Sequence, residues 1–359
     1  MNPINSVFIP LDLRDNNPYQ KQLVEHLGNV EVQVEGGKSG EFFLLKILTQ
    51  WKPDILHLHW LHSFITKTTF VKSFISSLLF IFQLVIIRLL GIKIIWTVHN
   101  LKNHNNKYLK LDHICTKIIA KLCHGLIAHC EKAKEEIIST FSLNNSNKVF
   151  VVPHGNYIGC YENKISRAEA RRTLGIPESK TALLFFGLIR PYKGVLELID
   201  NFNQLSTDET ELIIAGKVWN DSLEQGDLLK QKTSENNCIK FIPGFVPNDK
   251  IQLYMNACDV VVFPYRDILT SGAVVLAMSF GKACIAPRIG CISEVLDDSG
   301  AFLYDPENEK GLSQAIKSSI NKKYELASMG KYNYQLAEKY NWNYIANLTH
   351  QVYKFCLTS

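Results

Sequence analysis

Twelve short apolar runs, most of them rich in β-branched or aromatic residues and spaced by segments of helical period, are the feature that most limits how this chain folds. Strands are expected near Val7 to Pro10, Val30 to Val34, Ile55 to His59, Ile94 to His99, Gly125 to His129 and Val149 to Pro153. A second set follows at Ala182 to Gly187, Leu212 to Gly216, Ile239 to Pro243, Asp259 to Pro264, Cys284 to Pro287 and Ala301 to Tyr304. Strands alternating with helices pack as parallel sheets covered on both faces. The two sets flank a polar, turn-rich stretch, GNYIGCYENKISRAEARRTLGIPESK, and 359 residues is about two domains' worth of chain. The reading is an α/β protein of two domains, each a parallel sheet covered by helices, residues 1–160 and 161–335. The tail from about Tyr324 reads as two helices. The second, within 336–359 and beginning near Asn341, is expected to strap back onto the first domain through Trp342, Tyr344, Leu348 and Val352.

Composition is ordinary for a globular chain, with 46% hydrophobic and 20% charged residues, so disorder and fibrous repeats are excluded. Nine cysteines without a CxxC pair argue against a disulfide framework and for reduced, mostly buried thiols. The opening MNPINSVFIPLDLRDNN has no basic start followed by an apolar run, so no signal peptide is expected and the chain is placed in the cytoplasm.

The charge is unevenly distributed. Between Ile55 and Leu111 there is no Asp or Glu, while Lys67, Lys72, Arg88, Lys93, Lys102, Lys107 and Lys110 all fall there. The same span holds FISSLLFIFQLVIIRLL, Phe74 to Leu90. Its 17 residues, interrupted by Gln83 and Arg88, fall short of the roughly 20 that cross a bilayer. The segment reads as a buried α/β helix, or as one whose basic and aromatic edge also rests on an anionic membrane surface. One amphipathic helix can do both, and a peripheral location on the inner membrane face follows. No nucleic-acid partner is expected.

In open α/β sheets ligands gather at the carboxyl ends of strands, beside helix N-termini. Two loops of the second half stand out there. In FFGLIRPYKGVLELI the strand ends at Gly187, and Arg190 and Lys193 follow where a helix dipole disfavours cations, an arrangement an anion would relieve. In DVVVFPYRDILTSGAVVLAMSF a buried strand leads to Thr270-Ser271-Gly272 and a helix start, either a plain N-cap or an anion nest. Two such loops in one domain point to a nucleotide diphosphate.

FGLIRPYKG, GFVPNDKIQLYMNACDVVVFPYRD and TSGAVVLAMSFGKACIAP resemble the donor domain of the GT-B glycosyltransferases, in particular glycosyltransferase family 4 and its relatives in bacterial surface-polysaccharide assembly. NPYQKQLVEHL, DILHLHW, WTVHNL and VVPHGNY resemble the matching acceptor domain. The resemblance spans nearly the whole chain. It implies two Rossmann-like domains facing a central cleft, a nucleotide-sugar co-substrate, no other cofactor and no bound metal. It also implies that Gly187, Gly216, Phe245 and Asp267 face the donor nucleotide. In one respect the chain departs: the family's two glutamates, seven residues apart, fall here on Ile268 and Leu276, and Asp267 is the adjacent candidate for the first. The donor and the stereochemistry of transfer are left open by that departure.

In the first half, His99 ends the strand in WTVHN. By resemblance it faces the transferring sugar, where an imidazole titrating near neutrality would hydrogen-bond the donor or accept a proton. His57, His59 and His62 lack a cysteine or acidic co-ligand, so cleft lining is expected in preference to zinc. Asn17, Pro18 and Tyr19 follow the first strand, where acceptors bind in this fold. His57, Trp60 and the hinge residues His154, Gly155 and Asn156 complete the expected acceptor side, and Trp60 and Tyr157 are candidates for stacking on a sugar. The function expected is metal-independent transfer of a hexose from a UDP- or GDP-sugar to a lipid-linked or polysaccharide acceptor at the inner membrane face. A sugar-nucleotide epimerase or phosphorylase on the same fold is the alternative, and a non-catalytic sugar-binding protein the third reading.

Overall fold

A computed structural model describes residues 3–13, 17–38, 42–103, 107–205, 207–219 and 223–358. The chain divides into two compact units, residues 1–155 with 341–359, and residues 156–340. Each is built on one parallel six-stranded sheet with helices packed on it. The boundaries fall at Gly155 and Tyr340, and the C-terminal helix belongs to the first unit.

In the first unit the strands are β1 (Ile4–Ile9), β2 (Val32–Gly36), β3 (Ile55–Leu58), β4 (Lys93–Thr97), β5 (Gly125–Ala128) and β6 (Val149–Val151), in the order β2-β1-β3-β4-β5-β6. Chain order reverses between β1 and β3, whose register pairs Phe8 with His57. Residues at the carboxyl ends of those two strands therefore flank a topological switch point, the usual place for a ligand in an open parallel sheet. The closing helix Trp342–Thr358 packs on the helix Pro18–Gly28 through the same unit. Its buried stripe runs Trp342, Ile345, Ala346, Thr349, Val352, Tyr353 and Cys356, a helical period of one face. Tyr344, expected on that stripe, is 46% exposed because it lies two positions from Trp342, on the outer side.

In the second unit β7 (Thr181–Phe186), β8 (Thr210–Gly216), β9 (Ile239–Pro243), β10 (Val260–Val262), β11 (Ala283–Pro287) and β12 (Ala301–Tyr304) are ordered β12-β11-β10-β7-β8-β9. Its switch point lies between β7 and β10. β7 and β8 are buried at every residue, TALLFF and TELIIAG, the continuous runs that a sheet covered on both faces requires. Arg171 is fully buried beneath β10, where its guanidinium meets Asp259 at 2.6 Å and the carbonyls of Ala257, Pro177 and Lys180 at 2.8 to 3.0 Å. Asp259 also accepts the Ala182 amide at 2.8 Å, so this ion pair fastens the start of β7 to that of β10.

Cys115, Cys123, Cys258, Cys284 and Cys356 are buried free thiols, pushed up in pKa by burial. The apolar segment before β4 is a 20-residue helix, Phe70–Leu89, beginning four residues earlier than the sequence run suggested. By length and composition it is apolar enough to cross a membrane. One face of it packs on the unit: Ser73, Ser77, Phe80, Gln83, Leu84 and Ile87 are buried. Gln83 Oε1 accepts the amides of Phe43 and Leu44 at 2.8 and 3.1 Å, a lateral tie at mid-helix.

Candidate active site

The second unit brings its two unusual loops together at the switch point. The loop after β7 carries Gly187 in the left-handed region at φ 120°, then Arg190 and a single 3-10 turn, Pro191–Lys193. Gly194 follows at φ 64°, and a Cβ there would lie 1.9 Å from the Pro264 carbonyl oxygen, so only glycine lets this loop meet the loop after β10. The Arg266 amide donates to the Tyr192 carbonyl at 2.8 Å, and the Arg266 guanidinium pairs with Glu197 at 3.0 Å. Gly216 at the end of β8 lies against the Gly187 carbonyl, and the Gly244 amide donates to Gly216 O at 3.1 Å, which places the exposed Phe245 at the same sheet edge.

The electrostatics of this corner are one-sided. The Lys193 ammonium lies 5.4 Å over the ring of the buried Tyr265. Burial, reinforced by the Arg190 charge, lowers its pKa from 10.5 to about 8. Among the described residues no carboxylate pairs with it. Arg190 stacks its guanidinium 4.5 Å over Trp219. Burial and Asp267 raise the Tyr192 hydroxyl while Arg190 lowers it, so Asp267 and Arg190 both lie within electrostatic reach of Tyr192. Asp267 itself is exposed. Ser271 is the N-cap of the helix Gly272–Ser279, its hydroxyl accepting the Val274 amide at 3.4 Å. The plain capping reading therefore holds for that hydroxyl, and what the turn Thr270-Ser271-Gly272 offers an anion is its helix-start amides. Leu276 is buried in the core and Ile268 is half-buried, packed against it, so neither replaces the ligand-facing acid the family carries there.

Sequence reading missed Trp219 and Tyr265. Both follow buried strands of the same edge, β8 and β10, and that position was the available signal.

In the first unit the candidates form a buried histidine chain at the carboxyl ends of β3, β4 and β5. His129 Nδ1 lies 2.9 Å from the Val152 carbonyl, which can only accept, so Nδ1 carries the proton. Burial lowers the His129 pKa to about 4, so the ring is neutral and Nε2 is a lone pair. His99 Nδ1, 3.4 Å away, is its donor. His99 is also neutral, its pKa held well below 6.5 by burial and by His129, and its Nε2 accepts from His59 Nδ1 at 3.3 Å. The series ends at His59 Nε2, buried without a hydrogen-bond partner. Trp60 stacks on His99 at 4.5 Å between ring centres with 12° between planes. Tyr19 closes the cluster edge-on to His99 at 5.2 Å, and Trp342 stands edge-on to Tyr19 at 5.5 Å.

This arrangement corrects four expectations, for His99, His57, Asn156 and Tyr157. His99 does not titrate near neutrality; burial makes it a poor base and leaves orientation and hydrogen bonding as its chemistry. His57 does not line a ligand site: it is fully buried, with Nδ1 2.6 Å from the Tyr353 hydroxyl and Nε2 2.8 Å from Thr97 Oγ1, and burial lowers its pKa to about 3. Asn156 is a structural tie, its side-chain amide donating to Ala337 O at 2.8 Å and its backbone amide to Tyr340 O at 2.9 Å. Asn17 caps the first helix, accepting the Tyr19 amide at 3.1 Å. His154 is half-buried, with Nδ1 2.8 Å from Gly155 O, and burial lowers its pKa to about 3. Gly155 seats the ring of Trp342, which a Cβ would approach to 2.5 Å. Tyr157 is buried in the second unit's core, not placed as a stacking platform. No group of three or more His, Cys, Asp or Glu side chains among the described residues is disposed to hold a metal ion.

The family model described as Glycosyl transferases group 1 matches residues 166–336, and the one described as Glycosyltransferase Family 4 matches residues 37–156. The chain is a GT-B glycosyltransferase. This transferase is 25% identical over 309 residues to the GDP-mannose:glycolipid 4-beta-D-mannosyltransferase of Xanthomonas campestris pv. campestris, spanning 85% of this chain and 80% of that protein. It is 30% identical over 217 residues to the lipopolysaccharide 1,2-N-acetylglucosaminetransferase of Salmonella typhimurium, spanning 55% and 54%. In fold the transferase matches sucrose-phosphate synthase of Thermosynechococcus elongatus, with a TM-score of 0.77 and 16% identity over 99% of both chains. It also matches the Anabaena protein HepE in complex with UDP-glucose, with a TM-score of 0.73 and 16% identity over 99% of this chain and 100% of that one.

Proposed function

We propose that this transferase moves a hexose from a UDP- or GDP-sugar to a lipid-linked or polysaccharide acceptor at the cytoplasmic membrane face. The observation that carries the donor half is Lys193, a half-buried cation beside a second cation, with no carboxylate paired to it among the described residues. A diphosphate held between Lys193, Arg190 and the amides at Gly272 supplies the missing charge. Charge-assisted hydrogen bonds of this kind contribute about 1.5 to 3 kcal/mol each. They also stabilise the negative charge that grows on the leaving diphosphate, which is how positively charged side chains and helix-start amides substitute for a divalent metal in the proposed reaction. Gly187, Gly216 and Phe245 lie at the same sheet edge, where the nucleoside would rest, with Asp267 as its acidic neighbour. The acceptor class is supported by the glycolipid acceptor in the name of the Xanthomonas relative and the lipopolysaccharide in that of the Salmonella one. The UDP-glucose complex of the Anabaena protein supports the donor class. On the acceptor side the reading keeps Tyr19, Trp60 and His154 and gives His99 the role of hydrogen-bonding the transferring sugar.

Titration calorimetry with UDP and GDP tests the donor site. Arg190→Ala is expected to weaken the preferred nucleotide by about tenfold or more, since about 1.4 kcal/mol is one decade. An unchanged dissociation constant would remove the assignment. His99→Ala is expected to lower turnover by about tenfold, the equivalent of about 1.36 kcal/mol of barrier, with donor affinity preserved. Near-normal turnover would return His99 to a packing role.

A further inference from the structure

The Phe70–Leu89 helix is apolar on two opposite faces, and the core uses only one. Phe70, Phe74, Leu78, Phe82 and Leu89 form a stripe on the other, each 46% to 81% exposed. Positions four apart drift round a helix by about 40°, so this stripe is broad and faces away from the buried Phe80, Leu84 and Ile87. The patch continues sideways. Leu45 and Leu48 are exposed on the segment tied to the helix by Gln83, and Ile114 and Ile118 are exposed on the helix Leu109–Leu122 packed beside it.

At the N-terminal end of the stripe is a pocket of about 700 Å3 lined by Lys67, Lys72, Lys107, Thr66, Thr68 and Ser76, with Ile75 and Leu79 on its apolar side. Lys67 donates one hydrogen bond to Ser63 O at 2.6 Å; among the described residues none of the three lysines pairs with a carboxylate. The chain from Ile55 to Leu111 contains no acid to supply one.

We infer that this face docks the first unit on an anionic phospholipid bilayer. The helix lies in the plane of the interface, phosphate headgroups enter the Lys67/Lys72/Lys107 pocket, and the Phe74/Leu78/Phe82 stripe enters the acyl boundary. Exposed apolar area of this extent marks an interaction surface, and a basic margin on an apolar helix face is the composition of an interfacial helix. A second copy of the chain is the poorer occupant. A two-fold contact sets a patch against itself, so two basic surfaces would meet with no acid from residues 55–111 to offset their charge. Crossing the bilayer is opposed by the buried face of the helix and by the Gln83 tie at its middle. The inference shares with the proposed function the placement at a membrane, and no part of the donor or acceptor chemistry.

Flotation with vesicles of phosphatidylcholine alone and of phosphatidylcholine mixed with an equal part of phosphatidylglycerol tests it, in the absence of any nucleotide sugar. The full chain is expected to float with the anionic vesicles. The Lys72→Glu/Lys107→Glu and Leu78→Ser/Phe82→Ser variants should each bind them about tenfold more weakly or worse, while keeping the parent's melting temperature and nucleotide affinity. Failure of the parent to float, flotation of the charge-reversed variant at the parent's level, or a parent dimer that Leu78→Ser/Phe82→Ser turns into a monomer would each overturn docking. None of these outcomes touches the nucleotide titrations, so docking and donor binding fail separately.

Discussion

Lys193→Met is expected to stabilise the second unit while weakening its binding of a nucleoside diphosphate by about tenfold to hundredfold. The two effects have one cause. Burial first, and the Arg190 charge second, bring the Lys193 pKa from 10.5 to about 8. The unfolded chain therefore binds the proton more tightly than the folded one, and holding the charged form in the fold costs stability at neutral pH. That cost is fully present below pH 8 and fades as pH rises toward 10.5. The full displacement corresponds to about 3 kcal/mol at about 1.36 kcal/mol per unit, and the partial exposure of the side chain brings the expected gain for methionine to about 2 kcal/mol. For a unit of this size that is about 4 to 8 °C in melting temperature. The binding loss follows from removing a charge-assisted hydrogen bond of about 1.5 to 3 kcal/mol. In the parent, affinity for UDP or GDP should also fall above pH 8 as Lys193 loses its proton, by up to about tenfold per unit, and the methionine variant should lack that fall. Calorimetric unfolding and nucleotide titration between pH 7 and pH 10 measure both. A variant that melts lower than the parent, or binds nucleotide as well, would show that Lys193 is not held ready for an anion.

The strands were legible because a buried parallel strand announces itself locally. TALLFF and DVVVFP have no other comfortable conformation inside an α/β domain, and the order of such runs fixes which loops reach the switch points. Strand ends were less legible. Val98 and His99 extend beyond β4 because the sheet stops where the histidine chain begins, and β10 is cut to three residues between Asp259, committed to Arg171, and Pro264. The two cationic side chains of the donor corner were visible as an electrostatic anomaly near a helix start. The aromatic surfaces beneath them, Trp219 and Tyr265, were not, since a ring becomes a cation platform only once the chain has brought the cation to it. On the acceptor side the limits were greater. His57, His59 and His99 were seen as separate residues, whereas their protonation is set by His129, Tyr353 and the Val152 carbonyl, which come from distant parts of the chain. A motif can propose a histidine, but the partner of each ring nitrogen, hence its tautomer and basicity, is a tertiary fact. The same holds for Asn156, whose side chain is taken by Ala337 O at the far end of its own unit.

The buried imidazoles make the first unit acid-labile in a way the second should not share. Burial lowers the pKa of His57 and His154 to about 3 and that of His129 to about 4. In the unfolded chain each titrates near 6.5, so below that pH unfolding takes up protons and stability falls as pH falls, until near pH 4 to 3 the folded rings protonate as well. The two buried rings each contribute about 1.36 kcal/mol per pH unit and the half-buried His154 less, so together they contribute about 3 kcal/mol per unit and about 4 to 5 kcal/mol by pH 5. That is a large part of the stability of an ordinary domain. Urea unfolding followed by tryptophan fluorescence reports mainly on the first unit, which holds Trp51, Trp60, Trp96 and Trp342, whereas the second holds Trp219. The midpoint is expected to drop steeply between pH 7 and pH 5, and His129→Asn, which keeps a side-chain donor for the Val152 carbonyl, should flatten the dependence by one proton. A midpoint constant over that range, or a His129→Asn profile parallel to the parent's, would mean that the folded rings carry their protons at acid pH. The neutral chain from His59 to Val152, and with it the orienting role given to His99, would then have to be abandoned.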